Sequence, residues 1–108
     1  MIEPGDVVVA LLPGARTSKR RPAVVVSTSS YHNDRPDVIP AIITSRVEDA
    51  NSQFDCVLFD WRDANLRSPS AVRSYLLTVE QREITKIGHL SRGDWAEVQT
   101  RLRLAFEI

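Results

Sequence analysis

Apolar residues in this chain come in short blocks, each too brief for an ordinary helix and most closed by a turn former. That pattern limits the possible folds more than any other feature of the sequence. "VVVALL" (7–12) follows Gly5-Asp6 and is broken by Pro13-Gly14, after which a polar loop is expected as far as Arg20. Pro22 has no amide to donate and suits the first position of a strand, which "AVVVS" (23–27) continues. "VIPAIIT" (38–44) reads as a third strand, and Pro40 within it predicts an edge or a bulge. "QFDCVLFD" (53–60) and "AVRSYLLTV" (71–79) supply a fourth and a fifth, with turn-rich loops at 28–37 and 61–70. Residues 80–90 predict a helical turn followed by a strand near 85–90. Helical periodicity emerges only at the end. Ser91 and Asp94 form an approximate capping box, and Trp95, Val98, Leu102, Ala105 and Phe106 share one face of a helix over about 92–106. Short, closely spaced strands with one closing helix predict a mainly β protein, a small twisted barrel, with residues 1–108 as a single domain.

Composition bounds the partners. With 43% hydrophobic residues the 108-residue chain can bury one core. Lys plus Arg and Asp plus Glu both total 14, so the overall charge selects no partner. The distribution says more: residues 16–21 hold four cations and no acid. No apolar run approaches the roughly 20 residues that span a bilayer. Glu3 stands where a secretory signal would carry cations, so a cytoplasmic location is expected. Cys56 is the only cysteine, which excludes an internal disulfide framework. His32, His89 and Cys56 lack the spacing of a ligand set, and four scattered glycines make no phosphate-cradling loop. No metal and no other cofactor is therefore expected. Two histidines can act as acid and base in RNA cleavage, but their loop-like contexts weigh against that use.

The cationic segment "RTSKRRP" (16–22) is the foremost candidate site. Arginine keeps its proton and presents a planar fork that matches phosphate oxygens bidentately. The segment reads either as a phosphate clamp or as a solvated loop, and Arg21, against Pro22, is held more rigidly than its neighbours. Thr44 at the end of "AIIT" reads as β-propensity alone, or as a hydroxyl acting with a partner. Trp61 either stacks on a base or covers an open end of the core. Tyr31 carries the same ambiguity, whereas Trp95 reads as core.

Taken in order, Gly5-Asp6, Arg21-Pro22, Ile43-Thr44 and "AVRSYLLTVEQREITKIGHLS" (71–91) resemble the MazF/PemK family of bacterial type II toxins. The resemblance runs over nearly the whole chain. It implies an SH3-like barrel similar to that of the CcdB toxin, a homodimer, and a metal-independent endoribonuclease acting on single-stranded RNA. It also implies inhibition by a cognate antitoxin. The family's catalytic pair falls on Arg21 and Thr44, and RNA binding on Arg16, Thr17, Ser18, Lys19, Arg20, Ser45 and Trp61. Many members carry an acid in the first loop, where this chain reads "ARTSK" and has none. A toxin of the same fold directed at a protein such as gyrase, and a plain nucleic-acid-binding module, are the alternatives.

Overall fold

In the computed structural model, which describes residues 1–13 and 18–108, most of the apolar blocks pair into one antiparallel sheet. β1 (Asp6–Pro13) and β2 (Ser18–Val25) form its central hairpin, followed by a short helix α1 (Ser29–Asp34). β3 (Asp37–Val38), β4 (Pro40–Thr44), β5 (Cys56–Val57) and β6 (Ala71–Leu76) come next. β7 (Val79–Glu80), a 3-10 turn over Gln81–Glu83, β8 (Thr85–His89) and helix α2 (Arg92–Ala105) complete the chain. The large sheet runs β5-β6-β4-β2-β1-β8, and β3 pairs with β7 in a separate ribbon.

Both faces of the central hairpin are covered, which is why its strands read as continuous apolar runs rather than alternating ones. Val7, Val24, Ala41 and Ile43 point to one side and pack with Val98 and Leu102 of α2. Val8, Ala10, Leu12, Ala23 and Val25 point to the other, against Ile2, Ile42, Leu77, Val79 and Ile84. Cys56 is buried in the first layer, where the loss of hydration pushes its thiol up to about 11.

Several expectations are revised. The barrel does not close: among the described residues β5 and β8 stay as the two edges of an open sheet. Ser18, Lys19 and Arg20 belong to β2, not to a loop, because their backbone pairs with Pro13, Leu12 and Leu11 whatever their side chains do. The loop expected at 28–37 contains α1, started by the Thr28 hydroxyl accepting from the Tyr31 amide. Pro40 lies on an interior strand. It opens β4 opposite Val25, and the slip against β6 comes between Ala41 and Ile43. The strand expected over 53–60 shrinks to Cys56–Val57, since side chains capture the flanking amides. Asn51 Oδ1 takes those of Gln53 and Phe54, and Asp94 takes those of Phe59 and Asp60. Ser91 caps α2 through the Asp94 amide as expected, but the Asp94 carboxylate serves the 59–60 backbone instead of reaching back to its own cap. Ala105 and Phe106 are exposed beyond the packed stripe.

Gly5 and Asp6 lock the start of β1 to β8. Gly5 has φ +90°, and a Cβ there would meet the His89 ring at 3.1 Å. Asp6 is fully buried, with His89 Nδ1 at 2.7 Å, the Glu3 amide at 2.8 Å and Lys86 Nζ at 3.2 Å. Burial by itself would raise its carboxyl, but these donors outweigh that and hold it below the ordinary value of 3.8. A depressed folded value means that Asp6 stabilises the protein above pH 3.8 and that the contribution fades as pH falls through the lower folded value. Asp6→Ala is therefore expected to cost about 1.5–3 kcal/mol at neutral pH. The gap to wild type should narrow on acidification, as read by urea unfolding at a series of pH values. A gap that widens in acid would contradict this account.

Candidate nucleic-acid interface

Register carries Arg21 to Thr44. β2 and β4 pair Val25 with Pro40 and Ala23 with Ile42, where the ladder ends, and Arg21 and Thr44 each lie two residues beyond that last pair on their own strands. Beyond the last ladder pair the strand ends border a cavity of about 730 Å³ that both residues line. Residues of both faces reach it there. Val9, Pro22, Ile43, Leu66 and Ile87 make an apolar floor, and Arg20, Arg21, Arg46 and Arg67 supply the charge. No carboxylate stands among the described residues that line it. Coulomb repulsion among four guanidinium groups around one cavity is relieved by a polyanion.

Arg21 Nε is buried and has no hydrogen-bond partner among the described residues. A buried donor left unpaired costs about 1–3 kcal/mol, so such a group points to a binding or catalytic role. Thr44 Oγ1 accepts from the Arg46 amide at 3.1 Å, which orients the hydroxyl and leaves its proton to donate. Arg46 is otherwise tied only loosely, at 3.8 Å from Asp49 with both groups exposed.

The far wall comes from the connection between β5 and β6. Gly88 of β8 admits it: a Cβ there would lie 2.4 Å from the Ala64 carbonyl oxygen, so only glycine lets the two backbones approach. Asn65 has φ +62° and donates through Nδ2 to the Ile87 carbonyl at 2.7 Å, binding the wall to β8. Ser70 Oγ donates to the Ser68 carbonyl at 2.8 Å and holds the next turn.

Of the residues singled out in the sequence, Arg20, Arg21, Thr44 and Ser45 come together around this cavity. Ser18 and Lys19 are exposed on β2 away from the lining, and Arg16 and Thr17 lie outside the described residues. Trp61 is half-buried against the core, with the Arg62 guanidinium 4.7 Å from its ring centroid, and does not line the cavity. Tyr31, on α1, donates to the Asp37 carboxylate of β3, and that bond and Arg35 hold Asp37 below the ordinary carboxylate range. Sequence reasoning missed Arg46, Asn65 and Arg67. Arg46, two residues past Thr44, was within reach of a local argument. Nothing local marks Asn65 or Arg67, which arrive through the packing of a distant loop. Among the described residues no three His, Cys, Asp or Glu side chains gather as a metal site would require.

The family model for the PemK-like, MazF-like toxin of type II toxin-antitoxin systems matches residues 3–106, and this chain belongs to that family. No curated protein matches the sequence significantly. Solved structures share the fold. MazE-MazF from Deinococcus radiodurans (Form-III) superposes with a TM-score of 0.77 at 19% identity, over 98% of this chain and 96% of that one. An endoribonuclease in complex with its cognate antitoxin, from a mycobacterial species, gives 0.78 at 15% identity over 100% and 97%. The Mycobacterium tuberculosis toxin MazF-mt6 gives 0.71 at 20% identity over 95% and 97%.

Proposed function

We propose that this toxin is a metal-independent endoribonuclease that cuts single-stranded RNA, with Arg21 and Thr44 as its catalytic pair. The observation that carries the reading is the Nε of Arg21, buried and unpartnered among the described residues, in a cavity that these line with Thr44, four arginines and no carboxylate. In the reaction the ribose 2′-hydroxyl loses its proton and attacks the adjacent phosphorus. The bond from phosphorus to the 5′-oxygen breaks, and that oxygen leaves with a proton. The products are a 2′,3′-cyclic phosphate and a free 5′-hydroxyl. Arg21 stabilises the charge that builds on the phosphorane, and Thr44 donates to a non-bridging oxygen and holds the phosphate against the guanidinium. Arg20, Arg46 and Arg67 hold flanking phosphates. Ser18 and Lys19 extend that path along β2, Arg16 and Thr17 add to RNA binding, and Ser45 adds a hydroxyl beside Thr44.

The mycobacterial relative, an endoribonuclease complexed with its cognate antitoxin, supports the same activity and the same kind of inhibitor here. The working state is a cytoplasmic homodimer released from that antitoxin. Among the described residues no helix is long and apolar enough to cross a membrane.

The test is to incubate purified protein with a mixed-sequence RNA and map the new ends. Fragments with 5′-hydroxyl ends, formed equally with and without a chelator, are expected; intact RNA, or inhibition by the chelator, refutes the reading. Thr44→Ala should slow cleavage by roughly tenfold, the worth of one hydrogen bond to a charged group, and cleavage at the wild-type rate would remove Thr44 from the pair.

A further inference from the structure

We propose that the same cavity holds a nucleobase and that Asn65 reads it, making this residue a determinant of which RNA positions are cut. The proposal rests on the nuclease reading for its substrate class, but its evidence is separate. Five apolar residues, Val9, Pro22, Ile43, Leu66 and Ile87, floor the cavity that the arginines ring. Phosphate alone has no use for such a floor, whereas a base has a flat apolar face to lay on it.

Among the described residues lining the cavity, Asn65 alone carries a carboxamide, the side chain that presents a donor and an acceptor in one plane. Of the other neutral polar side chains, Ser70 is committed in part to the Ser68 carbonyl and Thr44 to the Arg46 amide, while Ser45 and Ser68 each offer a single hydroxyl. Asn65 spends one Nδ2 hydrogen on the Ile87 carbonyl, which leaves Oδ1 and the second N–H for a ligand. That bond also fixes the plane of the amide. The backbone beneath it is held by the Asn65 amide on the Arg62 carbonyl at 3.0 Å and by the close approach of Ala64 to Gly88. A rigid donor–acceptor pair in a cavity with five apolar lining residues complements adenine, whose amino group and ring nitrogen a carboxamide engages together. The apolar lining favours the larger face of the purine over cytosine, which offers the same edge. In unpaired RNA that edge is free to be read.

The experiment compares the affinities of labelled oligoadenylate, oligouridylate and oligocytidylate, by fluorescence anisotropy at one fixed salt concentration. It uses the wild type, Asn65→Gly and Asn65→Asp, each with its melting curve. Glycine accepts the positive φ, so Asn65→Gly removes the amide and leaves the turn. Wild type is expected to bind oligoadenylate about tenfold more tightly than the other two, within the range of one bidentate base contact. Asn65→Gly should bring all three within about twofold, and Asn65→Asp, which replaces the donor by an acceptor, should disfavour oligoadenylate. Equal binding of the three by wild type overturns the proposal, as does a preference that survives in Asn65→Gly. Failure of the nuclease reading shows up elsewhere, as intact RNA in the cleavage assay, and this binding comparison decides the base pocket in either case.

Discussion

Arg21→Ala is expected to lower the rate of the proposed RNA cleavage by about 10²–10³-fold, the loss that follows removal of one donor aimed at a developing oxyanion. The same substitution should leave the melting temperature unchanged or slightly raised. Its Nε is buried without a partner among the described residues, so deleting it relieves a desolvation cost of about 1–3 kcal/mol and forfeits no hydrogen bond seen at that nitrogen. A residue kept only for packing would behave in the opposite way, with stability falling and activity following it. Arg21→Lys keeps the charge but loses the planar fork, and should recover little of the rate. End-mapping of RNA fragments and a thermal melt on the same preparations decide the matter. Wild-type cleavage by Arg21→Ala would remove the guanidinium from the mechanism.

Gly88→Ala should cost about 1–3 kcal/mol of stability and reduce cleavage with it. The added methyl would sit 2.4 Å from the Ala64 carbonyl oxygen, and neither backbone can yield without breaking something. Moving the 61–66 turn away breaks the bond from Asn65 to Ile87 and withdraws Asn65 and Leu66 from the cavity wall; moving β8 disturbs its pairing with β1. A domain of this size should lose several degrees of melting temperature per kcal/mol. Gly93→Ala is the control. A Cβ at Gly93, in the first turn of α2, meets nothing within 4 Å, and alanine there should be neutral or stabilising by about 0.4–1 kcal/mol. Equal melting temperatures for Gly88→Ala and wild type would show that the close approach is not needed.

The local signals that proved legible were those set by a few adjacent residues. Pro13 after an apolar run, Pro22 within β2 and Ser91 before a helical stripe each act through their own backbone, so β1, β2 and α2 were readable within a few residues. Arg21 and Thr44 were singled out from the residues beside them and from family resemblance, and their cross-strand register follows from two strands that both could be read. The errors fall where a distant side chain takes over a backbone. Asp94 captures the amides of Phe59 and Asp60 and cuts β5 short, and no periodicity in 53–60 foretells a carboxylate more than thirty residues away. The open sheet is of the same kind, since closure depends on how far the edge strands are carried round by twist, a sum over all the strands.

What this sequence determined unaided was the strands β1, β2 and β4, the closing helix α2, and the concentration of positive charge beside Pro22. Each follows from spacing along the chain, where neighbours are covalently guaranteed. The cavity was decided only in three dimensions. Its floor draws on β1, β2, β4, β8 and the turn at Leu66, and its far wall stands where it does because Gly88 has no side chain. Residues so far apart in sequence meet only when every strand between them has found its partner, so a site built on close approach of backbones leaves no local trace.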